Sequence, residues 1–355
     1  MNTKSAAFVT GASTGIKGKP MTDITRPEGQ APLVDSERRD FLKVGMGAAA
    51  GGLALGLTQS RASAQTPSAA SSHNTAPTQY VESAGVRFAY RRLGANEGVP
   101  LILLQHFRGT MDWWDPKLTD GLARTRPVVL FDNRGVGLSG GATPNTIDAM
   151  AEDTATFIEA LGLKQVDVLG FSIGGFIAQE LALKRADLLR RVILAGTGPR
   201  GGQGMQENTP EVAKAATGAN VGDARAFLFF SPSKESQAAA AQFLARTAER
   251  RVDLDPASSN QTMQAQGEAI QEWGLADSNV SYLARLRRCS LPFLIVNGNN
   301  DIMVPTVNAF ALSQAIPKGE LIIYPDAGHG AIFQYADLFV EHAKLFLDRM
   351  DTGLS

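Results

Sequence analysis

Cysteine is nearly absent from this chain of 355 residues, Cys289 being the only one. An intramolecular disulfide and a thiolate metal cluster are thereby excluded. Cys289 itself stands just before the apolar run LPFLIV, the setting of a small buried hydrophobe and not of a reactive thiol. A surplus of charge is missing too: 34 Lys and Arg face 35 Asp and Glu. No overall field draws in nucleic acid or an anionic membrane, and neither is expected as a partner. Histidine is scarce, with His73, His106, His329 and His342 the only four, so imidazole chemistry must be sought among them. There is no internal repeat. No uncharged stretch is strongly apolar over the roughly 20 residues that span a bilayer. The nearest, Val44 to Gln59, is shorter and diluted with Gly and Ala, so no stable membrane insertion is expected.

Near the start stands VTGASTGIK, in which Thr10, Gly11, Gly15 and Ile16 resemble the phosphate-binding turn T-G-x-x-x-G-I-G of the short-chain dehydrogenases. The last glycine of that pattern is Lys17 here. The following GKPMTDITRPEGQAP offers no amphipathic helix, no second strand and no acidic ribose partner, which a dinucleotide site requires. We read the turn as a stray, either a start placed too early, with Met21 the better one, or a fragment left by a gene fusion, and expect no cofactor. Next comes ERRDFLKVGMGAAAGGLALGLTQSRASAQ: Arg38 and Arg39, then Phe41, Leu42 and Lys43, the uncharged run, and Ala62-Ser63-Ala64 as a small-residue cleavage pattern. This segment resembles a bacterial twin-arginine export signal. The resemblance implies a precursor handled by the twin-arginine export machinery, cleaved near Ala64, and a mature protein that is periplasmic or secreted. Residues 1–64 are thus extension and signal, and the Ser/Ala/Thr/Pro-rich 65–78 reads as a mobile linker.

Roughly 290 residues remain, enough for one large core carrying an insertion. From Tyr80 onward, strand-like and helix-like segments alternate. VRFAYRRL and PLILLQ read as strands, the second apolar enough to be buried on both faces. WDPKLTDGLART reads as a helix and PVVLFD as a buried strand. Ile147, Met150, Thr154, Phe157, Ile158 and Leu161 then recur at helical spacing between Thr146 and a stop at Gly162. QVDVLGF, GGFIAQELALKRA and RRVILAGT continue as strand, helix and strand. The alternation predicts an α/β fold, a mostly parallel central sheet with helices on both faces. Between 201 and 288 it stops, and only Ala-, Gln- and Glu-rich helical stretches follow. It resumes with LPFLIVNG, VNAFALSQAI, ELIIYPD and a helix near Gln334 to Met350. We therefore expect a core of residues 79–200 and 289–355 interrupted by a helical cap, 201–288, with Phe227, Leu228, Phe229, Phe230 and Trp273 available to roof an apolar pocket. The Arg285, Arg287 and Arg288 cluster reads as a solvated helix end.

The strand QVDVLGF runs straight into GFSIGG and a helix, so that Gly170, Ser172 and Gly174 form G-x-S-x-G at a strand-to-helix turn. Side chains two positions either side of such a serine would collide, which explains the glycines. This resembles the nucleophile elbow of the α/β-hydrolase superfamily, and the likeness extends over nearly all of Tyr80 to Met350. A serine hydroxyl needs a base and the base needs an orienting acid; the superfamily order is Ser, acid, His. The resemblance implies Asp301, in NNDIMVP after one strand, and His329, in AGHG after the next, as the partners of Ser172. Exclusion agrees: His73 lies in the linker, His342 in the last helix, and His106 before the sheet's centre. For the oxyanion hole the resemblance implies the N–H of Ile173 and one from Gln105-His106-Phe107-Arg108-Gly109, where the family usually reads His-Gly-x. Aligned strand ends point to Phe107, a one-residue shift to His106. Asp132-Asn133-Arg134-Gly135 resembles a structural loop in which Asp132 and Arg134 brace their neighbours, and Trp113 or Trp114 can line the pocket. The chain is similar to capped esterases, lactonases and cofactor-free perhydrolases. A serine at the elbow argues against dehalogenase or epoxide hydrolase chemistry, which uses Asp there. The expectation is a serine hydrolase acting, without cofactor or metal, on an ester or lactone of a small, largely apolar substrate. Carbon–carbon bond hydrolysis, perhydrolysis and a slow-turnover binding protein are the rivals.

Overall fold

The structure, a computed structural model, describes residues 71–218, 221–275 and 278–350. The VTGASTGIK turn, the twin-arginine-type segment, the cleavage pattern near Ala64 and linker positions 65–70 lie outside the described residues. An eight-stranded sheet forms the centre: β1 (Gln79–Ser83), β2 (Val86–Leu93), β3 (Leu101–Leu104), β4 (Val128–Phe131), β5 (Val166–Phe171), β6 (Leu189–Ala195), β7 (Phe293–Gly298) and β8 (Gly319–Tyr324). Their order across the sheet is β1-β2-β4-β3-β5-β6-β7-β8. β2 pairs antiparallel with β1 and β4, and every later pairing is parallel.

Alternation along each strand builds two cores, because successive side chains leave a strand on opposite faces. Ile102 and Leu104 of β3, Val129 and Phe131 of β4 and Val192 and Leu194 of β6 enter one core. That core is closed by α2 (Ile147–Ala160), α3 (Ile173–Lys184) and α9 (Val307–Ala315). Leu101, Leu103, Val128, Leu130, Ile193 and Ala195 enter the other, beneath α1 (Pro116–Ala123) and α11 (Ala336–Asp348). Each such side chain contributes about 1.5–3 kcal/mol by leaving water. Helix boundaries follow local chemistry. Thr146 caps α2 by accepting the Ala149 N–H at 3.2 Å, and Asp115 caps α1, with Pro116 in the first turn, by accepting the Lys117 N–H at 2.9 Å. Among the described residues no helix is long and apolar enough to cross a membrane.

Between β6 and β7 the chain forms α4 (Pro210–Thr217), α5 (Val221–Phe229), α6 (Lys234–Thr247), α7 (Asn260–Trp273) and α8 (Asn279–Leu286), with no strand among the described residues. The short α10 (Ala331–Gln334) precedes α11. Ion pairs tie the inserted segment to the core. Arg246 of α6 bridges Asp115 at 2.6 and 2.8 Å, and the fully buried Arg91 of β2 joins Asp112 at 2.5 Å and Asp255 at 2.9 Å. Removing one partner of a pair so deeply buried costs about 3–5 kcal/mol, because the other charge stays behind unpaired.

Two features depart from the sequence reading. β1, unforeseen, pairs with β2 through a two-residue turn at Ala84 and Gly85, both at positive φ (49° and 74°), the geometry that lets a hairpin follow the strand twist. And residues 71–78, assigned to a mobile linker, are packed. His73 and Ala76 are buried; the Arg250 guanidinium donates to their carbonyls at 2.7 and 2.8 Å, and His73 Nδ1 meets Thr119 Oγ1 at 3.0 Å. Composition alone could not show that this stretch finds a buried arginine to satisfy its backbone.

Burial, reinforced by the charges of Arg91 and Arg250, pushes the His73 imidazole down from 6.5 to about 3. Between those values the unfolded chain binds one proton more than the folded chain, so this residue's contribution to stability is intact above 6.5 and is lost as the pH falls. From pH 7 to pH 5 the loss amounts to about 2 kcal/mol. His73→Asn is expected to remove that part of the decline, seen by urea unfolding at the two pH values; an unchanged decline would contradict it.

Candidate active site

β5 ends where α3 begins, and Ser172 is the single residue between them, at φ 58° and ψ −121°. Such a backbone costs about 1–3 kcal/mol and persists only where its surroundings over-determine it. Here they do. The Ser172 N–H donates to the Ala195 carbonyl at 2.9 Å, and its own carbonyl accepts from Gly175 N–H at 2.8 Å and Thr197 Oγ1 at 2.9 Å. The helix can turn back this sharply only without side chains at the flanks. A Cβ on Gly170 would stand 2.3 Å from the Gly174 carbonyl oxygen, and one on Gly174 would stand 2.1 Å from that of Leu104.

His329 and Asp301 come from the loops after β8 and β7. His329 Nδ1 lies 2.8 Å from Asp301 Oδ2, while Asp301 Oδ1 accepts the N–H groups of Met303 and Val304, both at 2.9 Å. An ionised carboxylate only accepts, so Nδ1 is the donor of this hydrogen bond. Nε2 is buried and has no hydrogen-bond partner among the described residues. Ser172 and His329 line the same small cavity, of about 20 Å³. Base and hydroxyl are often loosely spaced before a substrate draws them together.

The rest of the lining is mostly apolar. Phe107 and Trp113 come from the loop after β3, Leu228 and Phe229 from α5, and Met303 from the Asp301 loop. The aromatic residues named from sequence divide accordingly. Trp114 is fully buried against Phe171 and Phe333, Phe230 packs on Phe243, Trp273 stacks on Phe176, and Phe227 is 47% exposed. Two polar members were not anticipated in the wall. Arg225 borders the cavity, its guanidinium carbon 4.8 Å from the centre of the Trp113 ring. His106 also lines it, and burial, then the Arg225 charge, pushes its imidazole down to about 3, so it stays neutral.

The two N–H groups weighed from sequence, those of His106 and Phe107, differ in their partners. The His106 N–H already donates to Gln105 Oε1 at 2.9 Å. The Phe107 N–H makes no hydrogen bond among the described residues, and Ile173 opens α3, where N–H groups lack helical acceptors. Asp132 is a brace: its carboxylate accepts from Met111 N–H and Leu138 N–H, each at 2.9 Å, and Arg134 pairs with Asp153. His342 meets Tyr324 Oη at 2.8 Å, away from the cavity. Among the described residues no group of His, Cys, Asp or Glu could hold a metal ion.

A family model described as the alpha/beta hydrolase fold matches residues 99–335, well over half of the chain. The chain belongs to the α/β hydrolase family. Among solved structures it is similar to an α/β hydrolase fold protein from Chitinophaga pinensis, 41% identical with a TM-score of 0.74, over 79% of this chain and 100% of that one. It is also similar to Est816, described as an N-acyl homoserine lactone degrading enzyme, at 26% identity and a TM-score of 0.60, over 76% of this chain and 100% of that one. A curated Mycobacterium tuberculosis protein carrying a non-heme bromoperoxidase name, BpoC, is 27% identical over 245 residues, 67% of this chain and 89% of its own length.

The contact of Gly174 with the Leu104 carbonyl generates a direct expectation for this α/β hydrolase. Gly174→Ala forces an atom into occupied space and should lose about 1–3 kcal/mol or more. Urea unfolding measures it, and wild-type stability in the variant would contradict so close an approach.

Proposed function

We propose that this α/β hydrolase is a serine hydrolase that cleaves an ester or lactone of a small, largely apolar substrate. The observation that carries the proposal is the meeting of an elbow serine, Ser172, with an Asp301-bonded imidazole, His329, on one cavity wall. In this reading His329 Nε2 takes the Ser172 proton as Oγ attacks the carbonyl carbon. The Phe107 and Ile173 N–H groups hold the oxyanion that forms, and Asp301 fixes the tautomer and stabilises the imidazolium. His329 then returns the proton to the leaving oxygen, leaving an acyl group on Ser172. Water, deprotonated by the same nitrogen, releases the acid and restores the hydroxyl. The tight, mostly apolar cavity supports a short acyl chain. The lactone-degrading activity named for Est816 supports the lactone side of the reading.

A second reading draws its support from a relative. Hydrogen peroxide attacking the acyl-enzyme in place of water would yield a peracid and free Ser172. The bromoperoxidase name of the mycobacterial relative fits that outcome. The likeness of the segment from Arg38 to Ala64 to a twin-arginine export signal supports, as part of the same proposal, activity outside the cytoplasm.

A fluorophosphonate is expected to label Ser172 stoichiometrically, and short p-nitrophenyl esters to be turned over. Ser172→Ala should abolish labelling and lower kcat by about four to six orders of magnitude. Asp301→Asn, which disturbs the tautomer of His329, should lower it by about four. Most of the activity surviving in Ser172→Ala would overturn the reading.

A further inference from the structure

The loop that presents the Phe107 N–H is a tight turn, closed by the Gly109 N–H donating to the His106 carbonyl at 2.9 Å. Its third residue, Arg108, has φ 63°, a place where glycine or asparagine is usual. Nothing in the loop's own composition favours that conformation. What holds it arrives from 158 and 150 residues further along the chain. Gln266 of α7, a side chain almost wholly buried, accepts the Arg108 N–H on Oε1 at 2.7 Å. Ser258, just before α7, donates its hydroxyl to the Arg108 carbonyl at 2.7 Å. The Phe107 carbonyl, on the same peptide as the Arg108 N–H, accepts from the His106 ring Nδ1 at 2.9 Å. Both ends of that peptide are thus pinned, one by the sheet-side loop and one by the inserted helices. The Arg108 guanidinium adds bonds to the carbonyls of Ala216 and Gly218 at 3.4 and 3.1 Å.

We infer that Gln266 is a positioning residue for the oxyanion hole: the Gln266 carboxamide, with the Ser258 hydroxyl, locks Arg108 in its left-handed conformation and so aims the Phe107 N–H at the carbonyl oxygen of the substrate. The inference rests on the serine-hydrolase reading. Its consequence is that the inserted helices do more than roof the cavity, because docking of α7 completes the electrostatic half of the site. Without the Gln266 oxygen the Arg108 N–H is buried and unsatisfied, and Arg108 is free to leave its left-handed conformation, which breaks the Gly109 N–H bond to the His106 carbonyl, the other end of the peptide that carries the Phe107 N–H, and so takes the donor off its line.

The test compares wild type, Gln266→Met, which keeps the volume and removes the acceptor, and Gln266→Glu, which keeps an acceptor oxygen. Rates with p-nitrophenyl acetate are expressed per site titrated by fluorophosphonate, so unfolded protein does not count. For Gln266→Met the expected result is a kcat about ten- to a hundredfold lower with KM nearly unchanged. Affinity for a trifluoromethyl ketone, whose adduct with Ser172 carries the oxyanion, should fall in step with kcat/KM. Gln266→Glu should recover most of the rate. Unchanged kcat per titrated site and unchanged ketone affinity in Gln266→Met would overturn the inference. If that variant does not fold, Ser258→Ala carries the same test, a smaller loss of the same kind supporting the clamp and no loss overturning it. Failure of the wild type to label at Ser172 would overturn the hydrolase reading and this inference together, whereas labelled wild type beside an unaffected Gln266→Met overturns this inference alone.

Discussion

The backbone of Ser172 is the constraint on which the rest of the site depends. One residue reverses the chain from β5 into α3, at a φ that L-residues avoid, and the neighbours needed to hold it there dictate much of the nearby sequence. Gly170 and Gly174 leave room for the carbonyls of Gly174 and Leu104. Ala195 and Thr197, at the end of β6, supply the hydrogen bonds. The strain is held because β3 on one side is buried throughout and β6 on the other is buried at every position but Arg190, so the turn sits on a scaffold that does not yield. The reversal leaves the serine hydroxyl and the first N–H of a helix at one point, beside the loops after β7 and β8.

A second organising element is the way the inserted helices are fastened. A roof held only by apolar contact could slide, since such contact has no preferred direction. Directional bonds fix this one: Arg91 to Asp112 and Asp255, Arg246 to Asp115, Gln266 and Ser258 to the backbone of Arg108. Buried ion pairs contribute little net stability against well-packed apolar substitutes, and their value lies in allowing one arrangement only. On α5, Leu228 and Phe229 face the cavity of Ser172 while Phe227 points to solvent, and Phe230, just beyond the helix, is buried in the core.

Much of this was legible in the chain because it depends on period and on backbone sterics. The apolar runs of β3 and β4 read as buried strands, that of β7 marks where the alternation resumes, and Thr146 and Gly162 bracket α2 to within a residue or two. The G-x-S-x-G turn, the Asp301 loop and the His329 loop each follow a strand, and the fold brings these three loops to one place. What escaped reading depends on partners distant in sequence. β1 has half-exposed residues and only one neighbouring strand, so its pattern carries little signal. His73 sits in a stretch with the composition of a linker, and only Arg250 and Thr119 reveal it as buried. Gln266 lies in a polar helical stretch where glutamine usually faces water. Neither its burial nor its bond to Arg108 has any local trace. Arg225 likewise reads as an ordinary helical arginine until the cavity is drawn around it.

The most direct test of the account is capture of the covalent intermediate. The protein would be mixed with a short p-nitrophenyl ester, quenched in acid within milliseconds, weighed intact by mass spectrometry and mapped by digestion. The account requires an added mass equal to the acyl group, on the peptide carrying Ser172, appearing together with a burst of p-nitrophenol. Turnover with no such adduct, or an adduct on another residue, would contradict the assignment of Ser172 as nucleophile.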